Sequence, residues 1–238
     1  MALPNLDTVT LELDGHVLLI GLNRPHKRNS FDRAMLADLA RAYALLESDD
    51  SVWAGVLFAH GDHFTAGLDL VDVAPGIAAG ASPLPDGGRD PWRLDGPWTT
   101  RVVAVALGWC MTLGIELLLA AAIRLPRDAG WGNAMRWLLT GDEFDAAEAH
   151  RIGLVQEVAD DAGAALARGR EIAHTIADRS APLGVRATLA SAHLARERGE
   201  AAAIERLRPD VTALFASEDA AEGVQSFVER RQARFQGR

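Results

Sequence analysis

Residues 64–70 read Phe64-Thr65-Ala66-Gly67-Leu68-Asp69-Leu70, and the reading of this run decides the fold. It follows a short apolar strand, Val52 to Phe58, and a turn rich in His, Gly and Asp. Small residues just before a helix start leave backbone N–H groups without partners and aimed at one spot, which suits an oxyanion or a phosphate. The plainer alternative is a tight strand-to-helix turn that binds nothing. A second run of this kind, Gly108-Trp109-Cys110-Met111-Thr112-Leu113-Gly114-Ile115-Glu116, follows a strand at Val102 to Leu107 and opens a helix from about Thr112 to Ala122. Glu116 stands out there, with Leu117, Leu118, Leu119 and three alanines behind it. A carboxylate in an apolar helix loses hydration, which raises its pKa and makes it a usable acid or base. Against this stand a carboxylate on the wet face and one paired with a structural arginine.

Outward from these two runs the chain reads as an α/β core followed by helices. Val9, Leu11 and Leu13 alternate with polar residues, Asp14-Gly15 turns, and Val17 to Leu22 returns as a buried strand. Asp32 caps a helix whose Leu36, Leu39, Tyr43 and Leu46 form one apolar stripe. Ala74 to Pro97 holds five of the ten prolines and five glycines and reads as one long loop. Further on, Asp145-Ala146-Ala147-Glu148 fits a capping box, Gly153 a helix stop, and Leu154 to Val158 a last strand. After Asp160 helical spacing continues through Arg234, with breaks predicted at Pro182 and Pro209. The division is a core over 1–179 and a helical region over 180–238.

Composition narrows the function. With 49% hydrophobic and 24% charged residues the chain is an ordinary globule, not a disordered one. A net charge of −9 argues against nucleic acid as a partner, though a local basic patch for one anion is allowed. Cys110 is the single cysteine, so neither a disulfide framework nor a cysteine zinc site is present. The N-terminal residues lack a signal pattern, and the longest apolar stretch, Leu117 to Ile123, is too short to span a bilayer. The expectation is a cytoplasmic protein with no membrane partner. Lys27 is the sole lysine, which leaves Schiff-base chemistry almost no candidates. His60 and His63 flank Asp62, but without a third ligand motif they read as a polar turn, so no metal is expected. His150, His174 and His193 read as surface residues, and Arg230-Arg231 as a solvated pair.

Together these pieces resemble the crotonase, or enoyl-CoA hydratase/isomerase, superfamily over nearly the whole chain. The resemblance is carried by Leu22-Asn23-Arg24-Pro25-His26-Lys27-Arg28-Asn29-Ser30-Phe31, by the runs at 64–70 and 108–117, by Leu139-Thr140-Gly141, and by Ala149-His150-Arg151-Ile152-Gly153-Leu154-Val155. The ending from Phe215 through Gly223 to Arg234-Phe235 is also similar. The resemblance implies a spiral core of strand-strand-helix turns and a helical C-terminal region that makes homotrimers or dimers of trimers. It implies acyl-CoA thioesters as ligands, with no cofactor beyond the coenzyme A of the substrate. The N–H groups of Leu68 and Leu113 would hold the thioester oxygen as it becomes enolate-like. Coenzyme A would lie along Arg28, Ser30, Ala66, Leu68, Leu70 and Trp109, and Glu116 matches one of two glutamates that hydratases use to add water. The expected function is enoyl-CoA hydratase, a lyase; isomerase, thioester hydrolase or a silent CoA-binding paralogue are the alternatives.

The departures are as informative. Thr112 and Leu113 stand where the family often has glycine, and Arg101, Leu107 and Ala122 where proline, a polar residue and aspartate are usual. Between Ile123 and Trp131 the chain has only Arg124-Leu125-Pro126-Arg127-Asp128-Ala129-Gly130, where the family pattern has a strand, a glycine-rich turn and the second glutamate. Roughly two to three dozen residues are absent by that comparison. Either the deletion is real or a segment between these residues is omitted from the sequence, and the second is the expectation here.

Overall fold

A strand that must be apolar on both sides can only sit in the middle of a sheet covered on both faces, and Val17 to Leu22 is such a strand. In the computed structural model, which describes residues 3–82, 84–94, 96, 98–119 and 121–238, β1 (Val9–Asp14) and β2 (Val17–Leu22) pair as the expected hairpin. Met1, Ala2, Pro83, Asp95, Pro97 and Ala120 lie outside the described residues, and with them parts of the N-terminal and loop readings above. β3 (Ala54–Ala59) and β4 (Arg101–Ala104) add in parallel, giving the order β1-β2-β3-β4.

The period of two sorts β2 cleanly between two cores. Leu18, Ile20 and Leu22 join Leu36, Leu39, Tyr43 and Leu46 of α1 (Arg33–Ser48) on one face. Val17 and Leu19 join Val56, Val105, Ala173 and Ala177 on the other, the alanines coming from α7 (Ala162–Arg179). The first turn of α1 is closed by Asp32, whose carboxylate accepts the Met35 N–H at 2.9 Å. Gly169, Ala173 and Ala177 are the buried residues of α7, spaced four apart on one face. That small-residue face lets the helix lie close on the sheet.

Several boundaries differ from the reading of the sequence. The proline-rich stretch is not all loop, because α2 (Leu70–Ala78) runs through Pro75 into it. The helix expected from Thr112 to Ala122 is present and extends further, as α3 (Leu113–Leu119) and α4 (Ala121–Asp128), described on either side of Ala120, which lies outside the described residues. The strand expected at Leu154 to Val158 is absent: the Leu154 and Val155 N–H groups both turn back to the Ala149 carbonyl, and Leu154 is buried beside α6 (Ala146–Arg151). Asp145 does cap α6, accepting the Glu148 N–H at 2.8 Å. Pro182 opens α8 (Pro182–Arg198), whereas Pro209 sits inside an unbroken α9 (Glu200–Phe215); the break comes at Gly199, with φ +88. α10 (Glu218–Glu229) ends at Arg230 in the left-handed region, short of Arg234.

The junction after α3 is packed as one piece. Leu125 of α4 is buried with Ala134 of α5 (Trp131–Thr140) and with Ala149, Ile152 and Leu154. The chain passes directly from α4 into α5 here, so the strand and glycine-rich turn of the family pattern have no counterpart between these helices.

A methyl group at Gly169 would meet Val105 Cγ2 at 2.4 Å. Valine is stiff at χ1, so Gly169→Ala forces α7 off the sheet. The expected loss is about 1–3 kcal/mol in chemical denaturation with an unchanged m-value. An equally stable variant would show that α7 is not seated this tightly.

Candidate active site

The site is assembled around one buried amide. Asn29 is fully buried; its Nδ2 donates to the His60 and His63 carbonyls, both at 2.8 Å, and its Oδ1 accepts the Arg24 N–H at 2.7 Å. Arg28 and Asn29 both adopt positive φ, +51 and +52, which folds residues 24–30 back on themselves. The Arg24 guanidinium ties this turn to Asp32 at 2.9 Å and to Asp69 at 3.4 Å, and donates to the Ser30 carbonyl at 2.8 Å. Thus the first loop, the start of α1 and the 64–70 run are locked together.

Two isolated parallel bridges, Phe31 to Leu68 and Thr65 to Cys110, then carry this order into the site. A count of donors shows what is left over. Phe64 N–H donates to Leu107, Thr65 to Trp109, Ala66 to Arg28 and Asp69 to Phe31 carbonyls, while Gly67 donates to Thr65 Oγ1 at 3.0 Å. From Phe64 to Asp69, only the Leu68 N–H has no acceptor among the described residues. On the facing segment, Met111 N–H goes to the Thr65 carbonyl and Gly114 N–H to Met111, leaving Thr112 and Leu113 without acceptors among those residues.

Close approach of the two segments requires glycine. A Cβ on Gly67, which has φ +89, would sit 2.3 Å from Thr112 Oγ1, and one on Gly114 would sit 2.4 Å from Thr65 Cγ2. Thr112 itself has φ +39, a conformation that β-branched residues avoid at a strain of order 1–3 kcal/mol. The Leu113 side chain finds room by packing against the main core.

Glu116 lies in the first turn of α3, half-buried, and its carboxylate makes no hydrogen bond or ion pair with any described residue. It is therefore not a partner of a structural arginine. Arg28, Ala66 and Trp109 come together: Ala66 N–H donates to the Arg28 carbonyl at 2.9 Å, and the Arg28 guanidinium stands 4.6 Å over the Trp109 ring. His63 stacks on Trp109 at 5.0 Å. Ser30 is held beside Arg24, and Leu70 projects at the start of α2 with 64% of its surface exposed.

The remaining candidates resolve as structure. His60 Nε2 meets Thr10 Oγ1 at 2.8 Å, and His63 Nδ1 accepts the Trp109 N–H at 3.2 Å. No cluster of His, Cys, Asp and Glu able to hold a metal is found among the described residues. His150 is exposed, His174 bridges Asp14 and Asp178, and His193 is half-buried. Arg231 is held by Glu222 and Glu229.

Three further residues escape the sequence reading. Asp90 accepts the N–H groups of Trp92 and Leu94, both at 2.8 Å, and the buried Trp92 donates Nε1–H to the Leu113 carbonyl at 3.3 Å. Arg124 of α4 closes this loop by donating to the Trp92 and Arg93 carbonyls at 2.9 and 3.2 Å. None belongs to a motif; each works through backbone groups that sequence spacing does not reveal.

Comparison with known proteins gives the family to which the chain is similar. The family model for enoyl-CoA hydratase/isomerase matches residues 12–125 and 111–238, two stretches that overlap where the chain passes from α3 into α4. Enoyl-CoA hydratase EchA19 of Mycobacterium tuberculosis is 30% identical, covering 96% of each chain. That alignment spans 259 residues against 238 here, so the relative carries residues with no counterpart in this chain. (E)-Benzylidenesuccinyl-CoA hydratase of Thauera aromatica is also 30% identical, over 96% of this chain and 99% of its own. Among solved structures, a probable enoyl-CoA hydratase/isomerase from Mycobacterium abscessus superposes with a TM-score of 0.93 at 48% identity, covering 97% of this chain and 99% of that one.

Burial pushes the Cys110 thiol up to about 12. At pH 8 only about one thiol in 10⁴ is then ionised, and the thiolate is the reactive form. Native protein is expected to resist iodoacetamide at pH 8 and to take one label on denaturation. Rapid labelling of the native chain would contradict the packing of the Thr65–Cys110 bridge.

Proposed function

The chain belongs to the enoyl-CoA hydratase/isomerase family, and from that membership and the donors left over in the site we propose a hydratase-like enzyme acting on acyl-CoA thioesters. The observation that carries this reading is the unpaired Leu68 N–H, on a segment bonded at every neighbouring position, facing the segment that holds the unpaired Leu113 N–H. Two such donors fixed in place suit an oxygen that gains negative charge during reaction, and one donor of this kind is worth about 3–4 kcal/mol of barrier.

In the proposed reaction the thioester oxygen of a 2-enoyl-CoA sits between Leu68 and Leu113 N–H. Glu116 takes a proton from water as the water oxygen bonds to C3. The C2=C3 electrons move toward the carbonyl, leaving an enolate on the held oxygen. The enolate then takes a proton at C2 and re-forms the thioester carbonyl, and Glu116 supplies that proton. One carboxylate closes the cycle, which matters because the segment that carries the second glutamate in the family pattern is missing. Arg28, Ser30, Ala66, Leu70 and Trp109 are proposed to line the coenzyme A path, with Arg28 as the cation for its phosphates. The same unpartnered Glu116 also supports a second reading, isomerisation, in which a single base takes a proton from one carbon and returns it to another.

The C-terminal region 180–238 is proposed as the assembly region. Ile204, Leu207, Val211 and Phe215 of α9 and Val224, Phe227 and Val228 of α10 are exposed, apolar side chains that a neighbouring copy would take out of water. We assign it to a homotrimer or a dimer of trimers. No helix among the described residues is long and apolar enough to cross a membrane, and the single cysteine supports a cytoplasmic setting.

Glu116→Gln keeps the shape and removes the titratable proton. Turnover of crotonyl-CoA is expected to fall on the order of 10²-fold or more, with acyl-CoA still raising the Tm as in wild type. Full activity in this variant would end the role given to Glu116. For assembly, light scattering at micromolar concentration is expected to give a trimer or hexamer mass; a monomer would remove the proposal for 180–238.

A further inference from the structure

Thr112 is the residue for which the fold offers no structural return. Its φ of +39 is one that glycine takes freely and a β-branched side chain resists. The side chain is exposed, so the strain is not offset by core packing. Its hydroxyl makes no hydrogen bond to any described residue. Strain held in place without packing or bonding to explain it is a mark of function.

Its position says which function. Thr112 Oγ1 lies 2.3 Å from the point that a Cβ on Gly67 would occupy, so the hydroxyl stands close beside the Gly67 backbone. Gly67 directly precedes Leu68, and Thr112 directly precedes Leu113. The hydroxyl therefore stands in the gap between the two segments whose next residues carry the unpaired N–H groups. A hydroxyl has a rotatable O–H and can turn toward an oxygen arriving in that gap.

We propose that the Thr112 hydroxyl is a third hydrogen-bond donor to the thioester carbonyl, and so a catalytic residue. The inference rests on the acyl-CoA reading above. The hydroxyl keeps its proton throughout; it stabilises the developing oxyanion and takes no part in proton transfer. Glycine at this position would relax the backbone and lose the donor, so strain and donor come as a pair.

Three variants and one spectroscopic probe test this. Thr112→Val keeps the β-branch and the strained backbone but lacks the hydroxyl; Thr112→Ser keeps the hydroxyl; Thr112→Gly relieves the strain. With crotonyl-CoA, Thr112→Val is expected to lose about tenfold in kcat with KM nearly unchanged, and Thr112→Ser to retain most activity. Thr112→Gly is expected to melt higher than wild type yet share the kcat loss. The probe is butyryl-CoA labelled with carbon-13 at the carbonyl, a ligand that has no double bond to hydrate. Its infrared carbonyl band is expected to shift to lower frequency on wild type and Thr112→Ser, and to move back toward the free position on Thr112→Val. A band and a kcat in Thr112→Val equal to wild type would overturn the proposal while leaving the acyl-CoA reading intact, as would a fully active Thr112→Gly. Failure of wild type to bind butyryl-CoA, seen as no change in Tm or band, would overturn both.

Discussion

The Thr65–Cys110 bridge fixes the distance between two strand-to-helix connections, and nearly everything at the site depends on it. Thr65 donates to the Trp109 carbonyl and accepts from Met111 N–H, so the two connections run side by side. Its hydroxyl in turn donates to the Asn29 carbonyl at 2.7 Å and accepts the Gly67 N–H, while the Leu68 N–H that follows has no acceptor among the described residues. One buried threonine thus uses both its backbone and its side chain to leave a single donor free. Leu68 is half-exposed, so a donor left over in so fully bonded a segment is open to an acceptor that comes from outside.

The missing segment changes what supports this arrangement. In the family pattern the helix after Glu116 leads into a further strand; here α3 passes to α4 and on to α5. The sheet accordingly has four strands among the described residues, with β4 bonded to β3 alone. Arg124, the first residue of the shortened stretch, reaches back to the Trp92 and Arg93 carbonyls, and Trp92 reaches the Leu113 carbonyl. The loop that carries Trp92 and Arg93 is thereby tied to α3 and α4.

Much of the fold was legible because it follows from periodicity and caps. The β1–β2 alternation, the Asp32 and Asp145 caps and the stripe of α1 each encode a local rule that tertiary packing only reinforces. The misreadings share another cause. Leu154 to Val158 is apolar enough for a strand, but no neighbouring strand edge is offered to it, and its first N–H groups return to α6. Pro209 removes one donor from α9, a loss outweighed by the packing of α9 along α8. At the site, Leu68 and Leu113 were found through the resemblance, since the residue type says nothing about which N–H stays unpaired, whereas Glu116 stood out by itself as a carboxylate in an apolar helix. The strained φ of Thr112 and the Arg124–Trp92 ties are properties of the folded backbone, and spacing does not carry them.

The account turns on where the ligand's oxygen goes. A crystal structure of the protein with butyryl-CoA bound measures that directly. The account requires the thioester oxygen within hydrogen-bond reach, about 2.7–3.1 Å, of both the Leu68 and Leu113 nitrogens. A thioester oxygen directed to solvent, or held by other donors while these two N–H groups stay unpaired, would contradict it.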